Sequence, residues 1–352
     1  MRIIKSLFIV VVLISVSACS EKSISSLLGT ITISDTGESV LDYDAFMNRI
    51  DTLSLKCENK NFSSVQAACV TDSSIYIIDK MGSIGKFDIV TGHLEKAKRK
   101  VGHGNDEYIK PVSICEDNGN IYVLDFQGCA VLIYDPSLNF KDRIRLSFPA
   151  IDFVKIPNGF LFYNMNASEE LHQIVFTDSK GQIVNSYLPR ENERKMMLTD
   201  KVFCKSSDGD IYLSDSERNC LYKWNHDELF PIYNIKIIDT RTEKSPIKEM
   251  SDQFDGMYMR SFVMNDQIVS LFIQNGIVLA NFYNQEQRKS FSGRVKTNVP
   301  YSFFPITSYK RTLYGLFEKE NFDDAFLVLV MYRMKDQTGM AHSINQFKLI
   351  KE

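Results

Sequence analysis

Residues 102–135 constrain this chain more than any other stretch, because their pattern returns before and after them every few tens of residues. Two runs inside it, IYVLD at 121–125 and VLIYD at 131–135, are rich in β-branched and aromatic residues, and each closes on an aspartate. A polar turn containing Gln127 and Gly128 joins them, so the pair reads as a β-hairpin. With that hairpin as a ruler, further copies begin with IYIID at 75–79, a looser FLFYN at 160–164, IYLSD at 211–215, IVSLF at 268–272 and LYGLF at 313–317. From Tyr76 to Tyr314 is 238 residues over five intervals, a mean near 48. Four-stranded propeller blades repeat every ~40–50 residues, and one blade alone cannot bury both of its faces, so such repeats must stack. The spacing therefore predicts an all-β fold: a six-bladed β-propeller of four-stranded antiparallel blades over residues 46–352.

Two features lie outside the repeat. The alternating run 50–55, upstream of the first full copy, is expected to complete the last blade beside a C-terminal partner near residues 344–350 and so close the ring. Residues 240–259 are polar and helix-compatible, with Ser245 as N-cap, Pro246 at the first helical position, and Met250, Phe254 and Met257 on one side. They predict a short helical insertion between blades 4 and 5.

The first residues form a targeting segment. Arg2 and Lys5 precede the apolar run 7–16, which is too short for the ~20 residues a spanning helix needs. Small residues then lead into Cys19, as in the lipobox of bacterial lipoproteins. Residues 1–18 read as a lipoprotein signal peptide, Cys19 as the lipidated first residue of the mature chain, and 19–45 as a tether. More than one acyl chain on that cysteine makes a stable anchor, because a single chain binds membranes only marginally.

Side-chain chemistry is sparse. Of the six other cysteines, Cys69, Cys115 and Cys204 precede a repeat tyrosine by seven, seven and eight residues, so they recur at one strand position. That recurrence points to small buried thiols rather than a bridging framework. The strand-ending Asp79, Asp88, Asp125, Asp135 and Asp215 read as acceptors of backbone N–H groups in the following turns. The five histidines fall in different repeats, no metal-ligand spacing occurs, and no cofactor is expected. Forty-one basic residues against 44 acidic ones give no field for a polyanion, so nucleic acid is not an expected partner. The basic run 96–100 is a solvated hairpin end or a contact for acidic headgroups or polysaccharide. Beside it, the loop 100–110 offers Glu107 and Tyr108, a carboxylate next to an aromatic ring. They are the candidate partner-binding pair, with tyrosine packing between blades as the competing reading.

The segment GHGNDEY at 102–108, followed by the I-Y-V-x-D strand at 121–125 and Tyr134-Asp135, resembles the six-bladed β-propeller lipoproteins of Bacteroides-type bacteria, which are related to NHL-repeat propellers. Asn105 and Asp106 stand where that family has Pro and Gly. The resemblance implies the architecture and an envelope address, and no agreed activity. Two functional classes follow: an outer-membrane lipoprotein whose propeller is a binding or scaffold module for a glycan, peptide or protein, or a propeller hydrolase or lyase of the lactonase kind with a metal in its central channel.

Overall fold

The computed structural model describes residues 28–34, 39–57, 62, 64–164, 172–190, 201–238, 256–264, 266–274, 276–318 and 325–336. Three strands come first: β1 (Gly29–Ser34), β2 (Val40–Asp42) and β3 (Met47–Lys56). Blade 1 follows as β4 (Val65–Val70), β5 (Ser74–Asp79), β6 (Ile84–Asp88) and β7 (Leu94–Lys98). Blade 2 is β8 (Pro111–Asp117), β9 (Asn120–Asp125), β10 (Ala130–Tyr134) and β11 (Phe140–Arg145). Blade 3 is β12 (Ala150–Ile156), β13 (Gly159–Asn164), β14 (His172–Asp178) and β15 (Ile183–Pro189). Blade 4 is β16 (Phe203–Lys205), β17 (Ile211–Asp215), β18 (Cys220–Asn225) and β19 (Glu228–Ile238). Blade 5 is β20 (Met257–Met264), β21 (Gln267–Gln274), β22 (Ile277–Asn284) and β23 (Lys289–Lys296). Blade 6 has three C-terminal strands, β24 (Thr307–Tyr309), β25 (Thr312–Glu318) and β26 (Ala325–Met334). The six-bladed propeller read from the repeat is the observed fold.

The ring is held by what lies between blades. Six hydrophobic clusters divide the core, each drawn mainly from two neighbouring blades. Between blades 1 and 2, for example, Tyr76, Ile78 and Ile84 meet Ile121, Val123, Leu132 and Tyr134. The strand runs of the sequence are therefore near-continuously apolar, as in β5 and β13, where every residue is buried, because both blade faces pack. Four inner strands also carry the same irregularity near their start, at 65/67, 111/113, 150/152 and 258/260. One extra residue there bends the strand and re-aims the side chain that follows.

Closure works by the N-terminal strand, with a different partner from the one expected. β3 pairs antiparallel with β26, setting Leu55 opposite Leu327 and Met47 opposite Met334. Residues 344–350 lie outside the described residues. The tether reading of 19–45 needs correction. β1 adds in parallel to the outer edge of β19, placing Ile31 and Ile33 at 0% exposure in the core between blades 4 and 5. β2 adds in parallel to β23. Of the tether range, 28–34 and 39–45 thus belong to the described fold, while 19–27 and 35–38 lie outside the described residues. The helical insertion falls largely on 239–255, outside the described residues, and Met257, assigned to its apolar side, instead begins β20 opposite Ile273.

Candidate functional site

The inner strands of the six blades wall a cavity of about 1060 Å3 on the ring axis. Its two mouths differ. At one, strands are joined by short turns such as 118–119 and 226–227. At the other lie the blade-to-blade connections, including 99–110, 146–149 and 297–306. The strand directions put all of these connections on the same rim, since each leaves an outer strand and enters the next inner strand.

The long-loop mouth is built from charged side chains tied to backbone. Asp152, the first residue after the bulge in β12, is buried, and its Oδ1 accepts the Ser113 hydroxyl at 2.7 Å. Its Oδ2 accepts the N–H groups of Val202 at 2.8 Å and Phe203 at 3.1 Å. The Lys201 Nζ stands 3.9 Å from Asp152 Oδ1 and donates to the carbonyls of Val112 (2.6 Å) and Ile151 (3.4 Å). One ammonium and one carboxylate thereby join blades 2, 3 and 4, and the carboxylate's buried charge is compensated by three donors and a cation. Across the cavity, Arg260 follows the bulge in β20, lies over the Phe262 ring at 4.5 Å, and donates to Ile306 O at 3.0 Å. Phe303 turns into the core between blades 5 and 6, whereas the next residue, Phe304, is 36% exposed at the cavity wall. Lys80 also lines this end.

The short-turn end carries thiols and paired charges. Cys69, Cys115 and Cys204 all line the cavity, and none is disulfide-bonded. Burial pushes the Cys69 thiol up to about 12, with the Glu116 carboxylate adding to the rise, and lifts Cys115 well above the ordinary thiol range. These thiols are therefore protonated at neutral pH and are poor nucleophiles. Lys205 reaches Asp117 at 3.2 Å, and Lys310 pairs with Asp72. Among the described residues no group of three His, Cys, Asp or Glu side chains could hold a metal ion, and no helix is long and apolar enough to cross a membrane.

Glu107 and Tyr108 are not in the cavity wall. Tyr108 is at 0% exposure in the core between blades 1 and 2. Its hydroxyl donates to Lys98 O and accepts from Lys100 N, both at 3.2 Å. The Glu107 carboxylate turns back to accept the Gly104 N–H at 2.8 Å, and Arg143 donates to Glu107 O at 2.6 Å. A ring with no accessible surface offers a partner nothing, so the packing reading of Tyr108 holds. The strand-ending aspartates do accept turn amides: Asp79 from Ser83, Asp88 from Val90 and Thr91, Asp135 from Ser137 and Asn139, and Asp215 from Glu217 and Arg218. Asp125 differs, since it accepts Ile109 N at 3.0 Å and Lys110 N at 2.8 Å, fixing the loop before blade 2. The recurring cysteines are free as expected, but they line the channel, and Cys69 and Cys115 are only half-buried. Cys19 lies outside the described residues.

The residues that sequence reasoning missed are Asp152, Lys201, Arg260 and Phe304. A signal existed for two of them: Asp152 and Arg260 occupy the inner-strand position held by Ala67 and Ser113 in blades 1 and 2. A charge where the repeat keeps a small residue marks a departure from packing alone.

Ring, channel and unequal rims define a six-bladed β-propeller with a ligand-sized axial cavity. The chain belongs to the family described as domain of unknown function DUF4934, whose model matches residues 30–340. No curated protein matches it in sequence. Among solved structures, a Bacteroides fragilis protein named as an exported protein superposes with a TM-score of 0.68 at 14% identity, covering 87% of this chain and 100% of its own. A member of the DUF4221 family from Bacteroides vulgatus gives 0.50 at 11% identity, over 82% of this chain and 99% of its own. At these identities the likeness carries the fold alone.

Proposed function

We propose that the protein is an outer-membrane lipoprotein, held through Cys19, whose propeller binds a glycan, peptide or protein segment at the long-loop mouth of its channel. The cavity carries this reading: its volume of about 1060 Å3 lies just above the ~300–1,000 Å3 typical of ligand sites, and blade connections gather at only one of its ends. Phe304 supplies an open aromatic surface there, beside the loop that receives Arg260, and Lys80 supplies an adjacent charge. The small-residue approach to Cys19 and the likeness to a protein named as exported support the address.

Two measurements test it. Cys19→Ala should release the protein from the membrane fraction or stall its processing; normal processing and retention would remove the anchor. For the site, the full-length protein in detergent should melt at a higher temperature with a binder found among soluble oligosaccharides and peptides. Phe304→Ala and Lys80→Ala should cancel that shift without changing the unliganded midpoint. A binder indifferent to both changes would place recognition elsewhere.

A further inference from the structure

We infer that the outer edge of blades 4 and 5 lies against an anionic lipid surface, an inference that rests on Cys19 being the anchor. The length of the leash is the first argument. The Leu28 N–H already bonds Ile232 O at 2.8 Å, so nine chain steps separate Cys19 from a fixed point on β19. At ~3.3–3.6 Å per step the leash reaches roughly 30 Å at full stretch. In a six-blade ring the junction of blades 1 and 2 is opposite that of blades 4 and 5. Each four-stranded blade is ~14 Å deep at ~4.8 Å between strands, so two blades and the cavity between them exceed that reach. That puts the opposite outer edge beyond the anchor's reach and leaves the side where β1 enters within it.

That side is fitted to receive the bilayer. Lys236 on β19 and Lys289, Arg294 and Lys296 on β23 are exposed, and the register sets Thr32 beside Lys236 and Val40 beside Arg294. Leu28, Val40 and Ile238, at 57%, 49% and 37% exposure, lie among them. Asp42, 4.0 Å from Lys296, is the carboxylate in this ladder, while Glu228 sits at the far end of β19. In a chain of net charge −3 this is a local basic surplus with apolar side chains set into it. Basic groups are drawn to anionic headgroups within about a Debye length, and apolar side chains between them enter the headgroup layer.

The ring has a second basic stretch, residues 96–100, on the opposite side, and three of its four charges are already engaged. Lys96 donates to Asn139 at 2.7 Å, Lys98 lies 4.4 Å over the Tyr134 ring, and Lys100 pairs with Asp106. The leash cannot bring that side to the bilayer that holds the anchor.

Lysine acylation footprinting of the full-length lipidated protein on vesicles tests this without altering it. On phosphatidylcholine vesicles containing phosphatidylglycerol, Lys236, Lys289 and Lys296 should react several-fold more slowly than on phosphatidylcholine alone, with Lys96 and Lys141 unchanged. Equal protection of both sides, or protection of Lys96 and Lys141 only, would overturn the inference. Lys236→Glu with Lys296→Glu should restore Lys289 reactivity while the protein still sediments with the vesicles through its acyl chains. Protein that sediments without protection refutes the lipid face alone; protein that does not sediment refutes the anchor and the face together.

Discussion

Blades 1–3 and blades 4–6 solve the same edge problem by different means. Each of the first three ends on its own fourth strand, whereas the last three receive β1, β2 and β3 from the chain that precedes blade 1. An outer strand leaves a row of unpaired backbone groups, which proteins protect with charge or with another strand. β7 and β11 take the first course, with Glu95, Lys96 and Lys98 on one and Lys141, Asp142, Arg143 and Arg145 on the other. β19 and β23 take the second, and the strands that cover them run in order round the outside of the ring until β3 locks blade 6. The first half is thus sealed locally, blade by blade, and the second by one continuous belt whose loss should be felt in three blades at once.

Stepwise truncation gives the largest effects. Removing residues through 56 takes away β3 and leaves β26, with Leu327, Leu329 and Val330 at 0% exposure, without its outer neighbour. Urea unfolding should then lose its single cooperative transition. Removing residues through 38 deletes β1 and bares the pocket of Ile31 and Ile33; at ~1.5–3 kcal/mol for each buried isoleucine, several kcal/mol should go. Removal through 27 should leave the midpoint where it was. Identical melting of the first and last truncations would show that the belt does not bind the ring together.

The difference between the halves also explains what could be read in advance. Blades 1 and 2 were legible because IYIID and IYVLD repeat one local strand pattern, and the closing aspartates keep their place in the period, although Asp79 bonds its own turn and Asp125 reaches back to Ile109 and Lys110. Closure by 50–55 was legible for the same reason, as alternation is a local signal. Its partner was not: pairing β3 with β26 depends on two segments nearly the whole chain apart, and nothing near 325–334 announces which edge it will meet. β1 was harder still. GTITIS alternates, but its Ser and Thr also suit a linker, and only the packing of Ile31 and Ile33 on blade 5 decides between them. The candidate site followed the same division, since Glu107 and Tyr108 were found through a local motif while the channel mouth assembles from residues on every blade.

Tyr108 tests how far the local seal matches the belt. Tyr108→Ala empties a fully buried ring site between blades 1 and 2 and should cost ~3–5 kcal/mol, comparable with losing β1. Tyr108→Phe keeps the ring and drops the hydroxyl that joins Lys98 and Lys100, at ~0.5–1.5 kcal/mol. Burial pushes the Tyr108 phenol up to about 12, above the ~10 of an unfolded chain. The unfolded state then loses its proton first as pH rises, so this contribution is complete below pH ~10 and declines toward 12. Tyr108→Phe should make the alkaline decline in stability shallower. An unchanged decline would mean that the phenol is not shielded as the fold places it.

The smallest effect separates a loop that is held from one that merely fits. A Cβ on Gly102 would stand 2.1 Å from the Glu107 Oε2, so the carboxylate occupies the space that a side chain at 102 would need. Glu107→Ala removes one bond to the Gly104 N–H, which is exposed enough for water to replace it, and should cost about 0.5–1 kcal/mol. Gly102→Ala should cost more, because it displaces that carboxylate from its bond and crowds the loop. Combined, the two changes should cost less than their sum, since without the carboxylate there is nothing for the new methyl to strike. A double-mutant cycle in urea reads this coupling directly. Simple additivity would show that Glu107 does not brace Gly102, and that Arg143 and Asp125 hold the loop from its other side without help from the glutamate.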